Sequence, residues 1–217
     1  MLNRYKKMRI SGGMEEGGVV VGNNYDKYAS KNPIARWLMR GFSSSLSTLV
    51  QKAAPQTLHE IGCGEGYWTM NWRLQGIDAR GSDFSEKVIA LAQDNARAQG
   101  VPPGIFSQRS IYDIQPSEDG ADLIVCCEVL EHLEDPRAGL AALLRVTSNH
   151  IILSVPREPM WCAMNMARGK YWSSFGNTPG HIQHWSSDAF IKMVGEYFVV
   201  KEVHKPLPWT MLLCKKK

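Results

Sequence analysis

From residue 56 onward, short apolar runs alternate with segments whose apolar positions recur every three or four residues. Thr57-Leu-His-Glu-Ile61 reads as a short buried strand ending in glycines, and Ile77 to Asp83 and Ile105 to Ile111 read as the next two. Ala121-Asp-Leu-Ile-Val-Cys-Cys127 is apolar enough to be buried on both faces, as in the interior of a parallel sheet. His150 to Val155, stopped by Pro156, is a fifth strand. Between these runs the spacing predicts helices: Tyr67 to Leu74, then a segment capped by Ser85 with Val88, Ala92 and Ala96 on one face and ended at Gly100. Asp135-Pro136 opens another, with Leu140, Leu143, Leu144 and Thr147 aligned, and Ser186 caps a last one carrying Phe190, Met193, Val194 and Tyr197. Two final strands, Val199 to Lys205 and Trp209 to Cys214, are joined only by Pro206-Leu-Pro208, which predicts an antiparallel pairing.

The flanks are less regular. Residues 1–24 are polar and Gly-rich and read as a flexible tail, within which Met14 offers an alternative start. Residues 25–217 then form one domain. Within it, residues 25–54 make an amino-terminal helical cap of two short helices, one behind Asn32-Pro33 and one carrying Leu46, Leu49, Val50 and Ala53. Residues 157–183 interrupt the strand-helix rhythm with Trp, Met, Tyr, Gly and Pro and read as a lid-like insertion. Strand-helix alternation predicts an α/β three-layer sandwich whose seven-stranded sheet is mostly parallel with one antiparallel strand.

A length of 217 residues fits one domain with a sizeable core. The net charge of +4 is too mild to imply nucleic acid. Cations gather at the ends, at Arg4, Lys6, Lys7 and Arg9 and at Lys215 to Lys217, where they can touch anionic lipid or simply be solvated. No apolar run reaches membrane-spanning length and the start lacks a signal-peptide pattern. The five cysteines form no CxxC pair, so reduced thiols and a cytoplasmic location are expected.

The chemistry concentrates after the first strand. Gly62, Gly64 and Gly66 place bare backbone where an α/β sheet meets its ligand. The dinucleotide fingerprint GxGxxG would need glycine at position 67, where Tyr67 stands; the pattern is instead acidic-x-Gly-x-Gly-x-Gly, led by Glu60. Asp83, at the end of the second strand, suits ribose hydroxyls.

Three segments carry a resemblance: Glu60-Ile-Gly-Cys-Gly-Glu-Gly66, Gly81-Ser-Asp-Phe-Ser85 and Cys127-Glu-Val-Leu-Glu-His-Leu-Glu-Asp-Pro136. Over residues 56–155 the chain resembles the class I S-adenosylmethionine-dependent methyltransferases, within them the type 11 small-molecule methyltransferases that include quinone-biosynthesis enzymes. The resemblance implies a Rossmann-like fold and S-adenosylmethionine as cofactor. It implies cofactor contacts from Glu60, Gly62, Cys63, Gly64, Gly66, Asp83 and Phe84, an adenine flank at Ser110 and Ile111, and further contacts from Cys127 and Glu128. Relatives often carry an acidic residue where Ser110 stands, and Asp113 or backbone can substitute for it. A donor with an ammonium and a sulfonium and no phosphate also suits the leading carboxylate of Glu60. Because that donor is already activated, proximity and alignment do most of the work and no base is required.

Candidate catalytic groups are His132, His181 and His184. The Glu131-His132 pair reads first as hydrogen-bonding the loop and helix start, and His181 and His184 as loop bonds or a general base. No third ligand lies near His181 and His184 in the chain, so no metal is expected. Tyr25 and Tyr28 on one side and Trp161, Tyr171 and Trp172 on the other are candidate acceptor contacts, which suggests a small-molecule acceptor with apolar or aromatic surface. Methylation on oxygen, nitrogen or carbon stays open, as do the oligomeric state and a peripheral membrane contact by the insertion. The alternatives are a nucleotide-cofactor oxidoreductase, a non-catalytic cofactor-binding protein and a methyltransferase acting on a macromolecule. The missing third glycine opposes the first, and the absence of an Asn-Pro-Pro-Tyr or Asp-Pro-Pro-Tyr motif opposes base methylation.

Overall fold

The computed structural model describes residues 8–217, so Arg4, Lys6 and Lys7 lie outside the described residues. Two short strands, β1 (Glu15–Glu16) and β2 (Val19–Val20), pair with each other, and α1 (Pro33–Ala53) follows. The alternating body comprises β3 (Thr57–Ile61), α2 (Tyr67–Leu74), β4 (Asp78–Asp83), α3 (Glu86–Gln99), β5 (Phe106–Gln108), α4 (Pro116–Asp119), β6 (Ala121–Cys127), α5 (Pro136–Val146) and β7 (Thr147–Pro156). It closes with α6 (Met160–Ala167), α7 (Ser187–Tyr197), β8 (Phe198–His204) and β9 (Trp209–Lys216).

The seven-stranded sheet has the order β5-β4-β3-β6-β7-β9-β8. Strand β9 runs antiparallel to both neighbours, and the other pairs are parallel. Alternating residues along β6 serve two cores: Leu123 and Val125 pack with the buried face of α1, whereas Ile124 and Cys126 pack with α5 and α7. That is the three-layer sandwich the alternation predicts. The strand order reverses between β3 and β6, so their carboxyl ends at Ile61 and Cys127 flank a crevice, the usual ligand position in such sheets.

Four elements differ from the sequence reading. The helical cap is one 21-residue helix, not two. Its buried residues Leu38, Phe42, Leu46, Leu49 and Val50 keep one continuous face, and the Ser-rich stretch 43–45 falls between them without breaking the helix. β5 is only three residues long, because Pro103–Ile105 forms a 3-10 turn and Ser110–Asp113 forms a tight turn. β7 begins three residues earlier than His150. The insertion contains α6, whose Met, Trp, Cys and Ala residues show no polar face and whose start has no side-chain cap, so neither helical signal was present.

The segment read as a tail is, from residue 8 on, fastened to the domain. Glu65 Oε1 accepts hydrogen bonds from Ser11 N (3.0 Å), Ser11 Oγ (2.9 Å) and Asn23 N (2.8 Å), and the Asn23 amide reaches Oε2. Asn95 holds Arg9 through its backbone N–H and carbonyl. Glu16 accepts from Ser85 Oγ and from the Glu86 N–H at the start of α3, where a carboxylate favours the helix dipole.

Candidate functional site

The turn after β3 is built by backbone geometry that only glycine adopts freely. Gly62, Gly64 and Gly66 have φ of +77°, +53° and +83°. A Cβ at Gly62 would meet Val129 Cγ2 at 2.2 Å, and one at Gly66 would meet the Phe106 ring at 2.5 Å. At Gly64 the nearest atom would be Asn23 Nδ2, 3.9 Å away. Two glycines therefore serve packing, whereas a Cβ at Gly64 would meet no more than an ordinary contact with Asn23.

Two carboxylates flank the turn. Glu60 is buried at the end of β3, and its Oε2 accepts from Thr69 N (2.9 Å) and Thr69 Oγ1. Burial pushes its pKa up to about 8, opposed by the Thr69 bonds. Asp83, half-buried at the end of β4, accepts from Gly64 N through Oδ2 (3.1 Å) and from Ser85 N through Oδ1 (3.1 Å). Burial raises its pKa as well, with Ser85 and Gly64 pulling back. Asp83 thus ties the glycine turn to the start of α3 and retains lone pairs for a ligand.

The other wall forms after β6. Glu128 has φ +60°, an uncommon conformation for a non-glycine residue, and its carboxylate accepts from Ser154 Oγ (2.9 Å) and Trp209 Nε1 (2.6 Å). Burial lifts its pKa to about 7. Glu131 follows on the 3-10 turn Leu130–His132. Its carbonyl receives Ile182 N and Gln183 N, which anchors the insertion, but neither carboxylate oxygen has a hydrogen-bond partner among the described residues. Burial, then the neighbouring Glu128, drives its pKa well up. His132 Nδ1 lies 2.9 Å from Gly180 O. A carbonyl only accepts, so Nδ1 carries the proton and Nε2 keeps its lone pair. The His132 and His181 rings meet edge to face at 4.9 Å, and His181 stacks on Trp161, which also touches Trp209. Desolvation, then His132 and His184, lowers the pKa of His181 to about 3.

The structure gathers some sequence-predicted residues and separates others. Glu60, Gly62, Gly64, Gly66 and Asp83 form one turn. Cys63 is buried with its Sγ toward its own loop, and its backbone N–H and carbonyl are bonded to Ser82 O and Gly66 N, so it braces the turn. Phe84 is 47 % exposed. Ile111 is packed in the core, so only its backbone can meet a ligand, and the Ser110 hydroxyl accepts from Tyr112 N. Cys127 is half-buried, its thiol driven up by desolvation. Among the acceptor candidates, Tyr28 stacks face-on with Tyr67 at 3.6 Å and Trp161 lines the His181 wall. Tyr25 and Trp172 are 53 % and 62 % exposed, whereas Tyr171 is half-buried. His184 lies 3.4 Å from Glu158 Oε1.

Glu131 departs from the bonding expected of it: its backbone holds the loop and its side chain does not. The Glu131, His132 and His181 donor atoms all lie within 4.8 Å of one another, so the fold supplies from the 130–132 turn the neighbours that chain spacing does not show for His181. Glu158, Cys162 and His184 make a second, more open cluster. The sequence reading missed Trp209, Lys27 and Glu65. Trp209 sits on a late strand with no local motif, and Lys27 lies in a segment without periodicity. The side-chain interactions of Lys27 with Glu60, Glu128 and Glu131 are purely tertiary.

A pH effect follows from the buried Glu131. Its folded pKa lies above the unfolded value, so the folded ligand-free chain binds the extra proton and stability falls as pH rises past the ordinary Glu range. Glu131→Gln removes that dependence. In thermal melts without added ligand, the variant's melting temperature is expected to exceed wild type increasingly from pH 5 to pH 8. An equal difference at both pH values would show that Glu131 is not held protonated by burial.

A family model described as a methyltransferase domain matches residues 31–197. The chain belongs to this methyltransferase-domain family. Among curated relatives, it is 35% identical over 89 residues to the ubiquinone biosynthesis O-methyltransferase of Methylococcus capsulatus, covering 40% of this chain and 37% of that protein. It is 26% identical over 115 residues to that of Aeromonas salmonicida, covering 52% and 48%. The matched stretch spans less than half of either relative. Among solved structures, magnesium protoporphyrin IX methyltransferase from Synechocystis PCC 6803 with bound SAH is similar at a TM-score of 0.65 and 19% identity, covering 87% of this chain and 90% of that one. The PH0226 protein from Pyrococcus horikoshii gives 0.69 and 15%, covering 86% and 93%. Among the described residues, no helix of this methyltransferase domain is long and apolar enough to cross a membrane.

Proposed function

We propose that this methyltransferase domain uses S-adenosylmethionine to methylate a small-molecule acceptor with apolar or aromatic surface. The observation that carries the reading is Gly64, where a Cβ would meet no close contact, in the switch-point turn flanked by the carboxylates of Glu60 and Asp83. These residues fit the cofactor. Its ribose hydroxyls suit the free lone pairs of Asp83, its cationic groups suit the Glu60 side of a crevice that has no phosphate-binding side chain at its turn, and Gly64 lets it approach the backbone. When bound, the cofactor supplies a methyl group already activated on a sulfonium. The chain's own contribution is then alignment and exclusion of water. Trp161, His181 and Trp209 wall the acceptor side, which makes residues 157–183 a lid in this reading. In this reading His132 Nε2, whose lone pair stays free while Nδ1 bonds Gly180 O, takes a proton from the acceptor. Supplying labelled donor and a metabolite extract should yield a small labelled product; label found only in macromolecules, or nowhere despite cofactor binding, would favour the rival readings.

Glu131 favours a second reading, methylation at oxygen assisted by a divalent cation. Two orphaned carboxylate oxygens beside two imidazoles form a donor set of carboxylate and nitrogen character. An ion there would lower the pKa of an acceptor hydroxyl. Magnesium, manganese and zinc titrations followed by calorimetry should then show saturable binding lost in His181→Ala. No difference between wild type and variant would remove this second reading and leave the first intact.

A further inference from the structure

On the outer side of Tyr28 the amino-terminal segment and α1 enclose a cleft of about 340 Å³. Lys27, Lys31, Arg36 and Arg40 line it together with the hydroxyl residues Ser30 and Ser43, and no Asp or Glu does. Among the described residues none of the four cations makes an ion pair within 4.0 Å; the bridges of this half of the molecule lie elsewhere, as at Lys52–Glu202. Arg36 and Arg40 are one turn apart on the same helix, a like-charge spacing that costs stability when nothing intervenes. The first turn of α1 holds no acidic residue to offset them. The chain as a whole has 25 Lys and Arg against 21 Asp and Glu, so gathering four cations in one concavity is not a consequence of a strongly basic composition. An arrangement of this kind is stabilised by a multivalent oxyanion, for which the two guanidinium forks and the two hydroxyls are suitable donors.

The cleft adjoins the proposed site through Tyr28. Tyr28 forms part of its lining and stacks on Tyr67, the first residue of α2 after the glycine turn. Lys27 lines the cleft, and its ammonium lies 5.4 Å from the centroid of the Tyr28 ring. The aromatic pair Tyr28–Tyr67 is the structural link between the cleft and the start of α2 at the glycine turn. The partly buried Met39 gives the cleft one apolar patch beside the charges.

We infer that this cleft holds a phosphate or carboxylate group carried by the methyl acceptor, so that the acceptors are anionic molecules anchored away from the reacting atom. This rests on the methyltransferase reading above. A free soluble acceptor and an anionic lipid headgroup would present the same oxyanion chemistry, and the experiment separates them. Arg36 and Arg40 are exposed, so Arg36→Ala/Arg40→Ala should fold normally. The first measurement is calorimetry with inorganic pyrophosphate. Wild type should bind saturably and the double variant about tenfold more weakly, with S-adenosylmethionine affinity unchanged in both. The second measurement fractionates the metabolite extract on an anion exchanger before assay with labelled donor. Labelled product from wild type should derive from the retained, anionic fraction, and the double variant should require about tenfold more of that fraction for the same rate, at similar maximal rate. Product from the neutral flow-through alone, or equal pyrophosphate affinity in the two proteins, would overturn the inference. Co-sedimentation with vesicles containing phosphatidylglycerol, lost in the double variant, together with activity only on vesicle-borne acceptor, would support the oxyanion site and assign its source to lipid. Failure of S-adenosylmethionine itself to bind wild type would instead overturn the methyltransferase reading, which keeps the two failures distinct.

Discussion

Gly64→Val is expected to abolish cofactor binding while leaving the domain folded. The position has φ +53°, which a β-branched residue adopts only with strain, at a cost of about 1–2 kcal/mol. No protein atom would obstruct a Cβ within ordinary contact distance, because Asn23 Nδ2 at 3.9 Å is the nearest. The valine methyls would occupy the space that the cofactor needs instead. A loss of about 100-fold or more in affinity, about 2.7 kcal/mol, should be seen by calorimetry with only a modest fall in melting temperature. Gly66→Val provides the contrast. There the side chain runs into the Phe106 ring at the heart of the α3 packing, so destabilisation should dominate. A Gly64→Val protein that binds like wild type would mean that the open space at Gly64 is not where the cofactor lies.

Asp83→Ala should cost nearly as much by a different route. The carboxylate accepts backbone hydrogen bonds from Gly64 and Ser85, so its removal frees the glycine turn and leaves two N–H groups without their partner. It also removes the acceptor for the ribose hydroxyls. Hydrogen bonds to a charged group contribute about 1.5–3 kcal/mol, or about tenfold to 150-fold in affinity. Asp83→Asn separates the two contributions, because an amide keeps one accepting oxygen. It should recover most of the melting temperature and only part of the affinity. If the alanine variant loses stability alone and keeps its affinity, Asp83 is a loop-bracing residue and not a ligand contact.

The sheet was legible because β6 and the second half of β7 are largely apolar runs buried on both faces, and the neighbouring helices carry explicit caps at Ser85, Asp135 and Ser186. The glycine turn was legible for the same local reason: three glycines with positive φ leave a mark in the sequence. What escaped was tertiary. Nothing local distinguishes Glu65 from a solvated carboxylate, yet it receives Ser11 and Asn23 from more than forty residues away and fastens the amino-terminal segment. Trp209 reaches Glu128 across 81 residues, and His181 meets His132 only because Glu131 O fixes the insertion through Ile182 and Gln183. α6 escaped because its sequence, apolar except for the buried Asn165, has no helical period to read. Trp161 and Trp172 looked equivalent in the sequence, and only the turn between them sends one to the His181 wall and the other to solvent.

The central claim is that the crevice between Glu60 and Asp83 is an S-adenosylmethionine site. Calorimetry of the purified chain with S-adenosylmethionine, its demethylated product and NAD in parallel tests it most directly. Saturable one-to-one binding of the first two, lost in Gly64→Val, with no heat from NAD, is the predicted result. Tight binding of NAD with no response to S-adenosylmethionine would contradict the account.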